Sequence, residues 1–152
     1  MKKLIKTTVS EIEVSYRPSI SDKPVITSCL DAYNVIKEFI PKNKIALKEY
    51  IAVIYLNRAN RVIGAYRVSD GGMTSTVADL RLIFSVALKS VACSFIIAHN
   101  HPSGTLIPSV ADKALTNKLK DAGKLMDIAM LDHIIIGPED GKYFSFADEG
   151  LL

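Results

Sequence analysis

Short apolar runs separated by polar turns make up this chain, and the spacing of apolar positions switches between periods of two and about four. Residues 9–16 alternate, with Ile12, Val14 and Tyr16 on one side and Glu11, Glu13 and Ser15 on the other, which predicts a half-buried strand. Pro18 and Pro24 bracket a loop. Ser28-Cys29-Leu30-Asp31 reads as a capped helix start, and the helix should stop at Ile40, because the residue before Pro41 is pushed out of the helical region. Residues 50–56 are continuously apolar and short, as strands covered on both faces are. A turn over 57–60 and a second strand over 61–68 complete a hairpin.

Asp70-Gly71-Gly72 breaks the chain again. Thr76-Val77-Ala78-Asp79 repeats the helix-start pattern, and Leu80, Ile83, Phe84, Ala87, Leu88 and Val91 follow at helical spacing. A strand over 93–99 comes next. A long helix is expected over 109–122, with Gly123 as its stop. Residues 130–136 form another apolar strand, 137–141 a turn, and 142–146 a last strand. The alternation predicts an α/β (α+β) domain, a mixed sheet flanked by helices.

Composition narrows the class. One domain is the default for 152 residues, and a domain of that size buries about 68–70% of its unfolded surface. With 49% hydrophobic and 23% charged residues the chain is globular rather than disordered. A net charge of +3, without a block of basic residues, argues against a nucleic-acid footprint. Cys29 and Cys93 make no metal-type pair, and Cys93 lies in an apolar run that suits a core thiol. Met1-Lys2-Lys3 is followed by polar Thr7, Thr8, Ser10 and Glu11 rather than a signal-peptide core, and no apolar stretch approaches a membrane span. A cytoplasmic protein is expected; its oligomeric state is not legible.

The chemistry concentrates in HNHPSGTLIPSVAD, from His99 to Asp112. Side chains two apart on a strand share a face, so His99 and His101 can reach one metal ion. Pro102-Ser103-Gly104 ends the strand, and a helix starting at Ser109 folds Asp112 back towards the histidines. Three ligands of N, N and O type leave one zinc position open, the pattern of a catalytic site. Ser109-x-x-Asp112 is also an ordinary capped helix start, which does not exclude a second role. The letters His-Asn-His are not the HNH nuclease motif, whose residues are dispersed over a hairpin and helix.

His-x-His, seven residues, Ser, two residues, Asp resembles the JAMM signature of the JAB1/MPN metalloprotease fold. With HNHPSG and LDHIIIG around it, the chain resembles the RadC family, traditionally labelled DNA repair proteins. The resemblance runs from about residue 28 to 152 and implies a single JAB1/MPN-like (cytidine-deaminase-like) domain there, with residues 1–27 as an N-terminal strand and loop extension. It implies Zn2+ held by His99, His101 and Asp112. It implies further that a glutamate on an early strand moves protons and that Ser109 hydrogen-bonds the substrate carbonyl oxygen. Glu49, which opens Glu49-Tyr50-Ile51-Ala52-Val53, is the choice for that glutamate; Glu38 is the fallback, on a helix that turns it to water. Asn100 should point away from the metal, and His133 should be a satisfied core residue. Asp132 or Asp79 is expected to orient a ligand imidazole. Arg81 matches a family position whose role is open.

Three readings compete. The first is a zinc hydrolase cleaving an amide or isopeptide bond in a protein or small amide-containing substrate. The second is a non-enzymatic MPN-like interaction module, and the third a DNA-processing accessory protein. Longer RadC proteins carry a helix-hairpin-helix region ahead of this domain and none fits into residues 1–27, so direct DNA binding is not expected.

Overall fold

A computed structural model describes residues 9, 10, 12, 13, 15, 17, 22–69 and 78–152. In chain order the elements are α1 (Cys29–Ile36) with a tighter 3-10 turn (Lys37–Phe39), β1 (Ile51–Leu56), β2 (Val62–Ser69) and α2 (Leu80–Lys89). β3 (Ser94–Asn100), α3 (Val110–Leu125), β4 (Ala129–Ile136) and β5 (Tyr143–Ser145) follow. The strands form one mixed sheet ordered β2-β1-β3-β4-β5, parallel between β3 and β4 and antiparallel elsewhere. This is the α/β domain with a mixed sheet that the pattern predicts.

Parallel neighbours need a long crossover, and α3 supplies it. Its 16 residues span about 24 Å, which matches the ~23 Å of a seven-residue strand. The start of α3 is therefore returned to the C-terminal end of β3, where His99 and His101 lie. β1 and β3 are buried along their whole length, because both faces are covered. On one face α1 packs through Ala32, Tyr33 and Ile36 against Ala52, Ile54, Ile96 and Ala98. On the other, α2 and α3 pack through Ile83, Phe84, Ala87 and Leu119 against Val53, Tyr55, Phe95 and Ile97. Each isoleucine, valine, leucine or phenylalanine among these contributes roughly 1.5–3 kcal/mol by burial. Strand alternation then puts His99 on the α2/α3 face and Asn100 on the α1 face.

Four expectations are corrected. The strand at 9–16 is not formed by its described residues, and Ile12 is 88% exposed, so period-two patterning there has no sheet to pack on; Val14 and Tyr16 lie outside the described residues. The cap of α2 is Asp79, whose carboxylate accepts from Arg81 N, and not Thr76, which with Gly71 and Gly72 is outside them too. Gly123 does not end α3. The helix continues to Leu125, and the left-handed residue closing it is Asp127 (φ 55°). The Ile128 and Asp127 amides return to the Gly123 and Lys124 carbonyls, a Schellman closure. Gly123 is needed for close approach, since a Cβ there would collide with the Ile128 carbonyl oxygen. Cys93 is half-buried rather than a core thiol.

Candidate metal centre

β3 carries His99 and His101 to its C-terminal end, and a tight turn stops the chain there. The Gly104 amide donates to the His101 carbonyl at 3.0 Å, with Pro102 second and Gly104 fourth, as a type I turn favours. The positive φ of Gly104, 81°, suits glycine and redirects the chain. Thr105 then offers its carbonyl to His101 Nδ1 at 2.6 Å. Ser109 caps α3. Its Oγ accepts from Asp112 N (3.0 Å), and the Asp112 carboxylate accepts from Ser109 N (2.7 Å). This reciprocal pair fixes the Asp112 rotamer at the positive end of the helix.

Two imidazole nitrogens and a carboxylate consequently face one another. His99 Nε2 and His101 Nε2 lie 2.9 Å apart, Asp112 Oδ1 is 3.1 Å from the former, and Asp112 Oδ2 is 3.3 Å from the latter. These three residues form a group able to hold a metal ion. Lone pairs this close repel unless a proton or a metal ion lies among them.

The electrostatics agree. The hydrogen bond with Asp112 raises the His101 pKa against the opposing effect of burial, helped by the Thr105 carbonyl and the charges of Asp112 and Glu49. Burial pushes the Asp112 carboxyl upward, but its polar contacts with the His101 and His99 rings outweigh it and hold it well below the usual carboxylate range. His133, fully buried behind His99, is driven well below the ordinary histidine value, by desolvation first and then by the neighbouring His99 imidazole.

These shifts set the stability of the metal-free protein against pH. His101, with a raised folded pKa, contributes stability that is complete below the unfolded value near 6.5 and lost as pH rises through the folded one. His133, with a depressed folded pKa, contributes stability complete above 6.5 and lost as pH falls. Asp112 adds a loss only below about 3.8. The melting temperature of metal-free protein should therefore peak near pH 6.5. A His101→Gln variant should flatten the alkaline limb in scanning calorimetry, and an alkaline limb unchanged in that variant would refute the assignment.

Glu49 comes to the same face. Ile51 pairs with His99 across the antiparallel β1/β3 ladder, so continuing that register sets Glu49 opposite His101. Asn100 fixes this approach from the other side of the sheet. It accepts from Tyr50 N at 2.7 Å and donates to the Ile45 and Lys48 carbonyls at 2.7 and 2.9 Å. Asn100 thus points away from the histidines, as expected, and ties down the segment that presents Glu49. Glu38 is exposed and pairs with Lys42, as its helix predicts.

Neither aspartate expected behind the histidines orients an imidazole. Asp132 accepts from the His133 and Ala147 amides and from Ser145 Oγ, which ties β4 to the segment after β5. Asp79 is held by Arg81 at the start of α2, and that cap is what Arg81 visibly serves. The partner of His99 is His133, whose Nε2 is 2.8 Å from His99 Nδ1. Sequence reasoning treated His133 as core filling. The signal available was the βαβ pattern, since a parallel β4 beside β3 sets His133 level with Ile97, two residues from His99 on one face.

Comparison with known proteins places this geometry. A family model described as a RadC-like JAB domain matches residues 26–151. A UPF0758 protein of Flavobacterium johnsoniae is 43% identical over 127 residues, covering 84% of this chain and 53% of the relative. One from Porphyromonas gingivalis is 40% identical over 149 residues, 96% of this chain and 64% of the relative. One from Chlorobaculum parvum is 41% identical over 127 residues, 84% and 55%. The chain thus matches about half to two thirds of the length of these curated relatives.

Proposed function

The chain belongs to the RadC-like JAB domain family, and from that footing we propose that it is a zinc-dependent hydrolase cleaving an amide or isopeptide bond. The observation that carries the reading is the convergence of His99 Nε2, His101 Nε2 and an Asp112 carboxylate on the face that Glu49 also reaches. One ligand atom from each of the three residues lies within 4.8 Å of the others, close enough for a single ion to meet all three. Two imidazoles and one carboxylate are a catalytic donor set, three protein ligands rather than four. When bound there, zinc supplies a Lewis acid that polarises a carbonyl and acidifies water.

The remaining roles fall to the protein. Glu49 takes a proton from the attacking water and delivers it to the leaving amine, so one carboxylate serves as base and then as acid. Asn100 keeps that carboxylate's strand segment in place. Ser109 Oγ accepts from Asp112 N, and its own proton is donated to none of the described residues. That proton is available to the substrate carbonyl oxygen as negative charge develops, beside the positive end of α3. Ile107 and Val110, 75% and 87% exposed, flank this serine and are open to a protein or small amide-containing substrate. Among the described residues no helix is long and apolar enough to cross a membrane.

Ser109→Gly separates capping from catalysis. Glycine costs an N-cap only a few tenths of a kcal/mol, whereas losing an oxyanion donor slows the reaction by about 10²–10³. The variant should melt close to wild type and turn over slowly; wild-type turnover would leave Ser109 as a cap only. The reading as a whole is tested by comparing cellular proteins and conjugates in strains carrying wild type or Glu49→Gln. Amide-linked species should accumulate with the variant and disappear when purified zinc-loaded wild type is added. Identical profiles would count against a hydrolase.

A further inference from the structure

We propose that His133 and Thr116 are positioning residues that fix the tautomer of His99, so that its Nε2 presents a lone pair to the metal. The inference rests on the metal-binding reading above and concerns residues outside the ligand set. Four groups lie in line: His99 Nδ1 to His133 Nε2 at 2.8 Å, His133 Nδ1 to Thr116 Oγ1 at 2.7 Å, and Thr116 Oγ1 to the Asp112 carbonyl at 2.8 Å.

The far end decides the direction of the whole line. A backbone carbonyl only accepts, so the single Thr116 hydroxyl proton points at Asp112 O. Thr116 Oγ1 is then left to accept, and His133 Nδ1 must carry a proton. His133 is wholly enclosed. Among the described residues its ring nitrogens meet only Thr116 and His99, with no carboxylate in hydrogen-bond reach to balance a second proton. Nε2 is therefore left a lone pair and accepts from His99 Nδ1–H. With its proton on Nδ1, His99 keeps the lone pair it needs as a ligand on Nε2, the atom that faces His101 and Asp112. A threonine hydroxyl bonded to the carbonyl four residues earlier is common in helices. What gives it consequence here is the imidazole on its other side.

The line also ties together the three elements that build the site. His99 is on β3, His133 on β4, and Thr116 on α3, one turn after Asp112. His133 cannot swing out of line. Its ring stacks on Phe146 at 4.7 Å and 10°, and its amide donates to Asp132. His101 needs no such relay, because the Thr105 carbonyl already holds a proton on its Nδ1.

Thr116→Val keeps the shape and removes the hydroxyl. His133 can then carry its proton on Nε2 and donate to His99 Nδ1, which moves the His99 proton onto Nε2 and blocks the metal-facing atom. Zinc titration of purified protein should show affinity weakened about 10–100-fold in Thr116→Val and near wild type in Thr116→Ser, which restores the hydroxyl. Nitrogen-15 spectra of the metal-free proteins should show the His99 proton on Nδ1 in wild type and Thr116→Ser, and on Nε2 in Thr116→Val. Should Thr116→Val fold poorly, His133→Leu and His133→Gln form a second pair, the former losing the acceptor for His99 and the latter keeping one. Wild type that binds zinc alongside a Thr116→Val protein of equal affinity overturns the relay and leaves the metal site standing. Wild type that binds no zinc overturns the metal site and the relay's purpose together.

Discussion

Glu49→Gln is expected to keep the fold and the zinc and to lose the reaction. Glutamine has nearly the same volume, and Glu49 is half-buried beside His101 without being one of the three converging groups. Zinc affinity and melting temperature should therefore stay close to wild type. An amide cannot expel its amine readily without a proton, and a positioned acid–base group is worth about 10²–10⁴ in rate. Turnover of any cleavable conjugate should fall by that factor, and raising the pH should not restore it. Undiminished turnover would remove Glu49 from the mechanism and leave Glu38, which the fold turns to solvent, as a weak successor.

The second large effect is loss of a ligand. If total zinc binding is worth roughly 10–16 kcal/mol, one of four ligands accounts for about 2.5–4 kcal/mol, or ~10²–10³ in affinity. His101→Ala and Asp112→Ala should each weaken zinc by that amount in competition with a chelator of known affinity, while Glu38→Gln should not. Asp112→Ala should also lower the melting temperature of metal-free protein, because Ser109 loses its reciprocal partner and the two imidazoles lose their counter-charge. Unchanged affinity in both alanine variants would remove the site as drawn.

Much of this was legible in the sequence, for identifiable reasons. The i, i+2 histidines need only an extended strand to share a face, and the apolar run before them guarantees one. Ser109 and Asp112 carry a local capping signal, and the resulting capping box sets the carboxylate. Asn100 follows from the same alternation that places His99. The misreadings have a common cause, since each depended on a partner that local pattern does not reveal. Alternation at 9–16 has no described sheet to join. Gly123 looks like a helix stop, but the Ile128 carbonyl, five residues on, is what demands a glycine there. His133 looks like a core histidine, and it is one; its second role exists only because β4 lies parallel to β3 and Thr116 faces it from α3. Asp132 looked better suited to hold an imidazole, yet its oxygens are taken by Ser145 and two amides.

The central claim, that the chain closes three converging acceptors around one zinc ion, is tested most directly by elemental analysis of the reconstituted protein. Stripped of metal, wild type should remain folded, because its two cores enclose the sheet without any metal's help. After zinc is returned and excess removed, about one zinc per chain should be retained through gel filtration, as three-ligand sites retain it, and lost from His101→Ala and Asp112→Ala under the same wash. Folded wild type that retains no zinc, or variants that retain as much as wild type, would contradict the account.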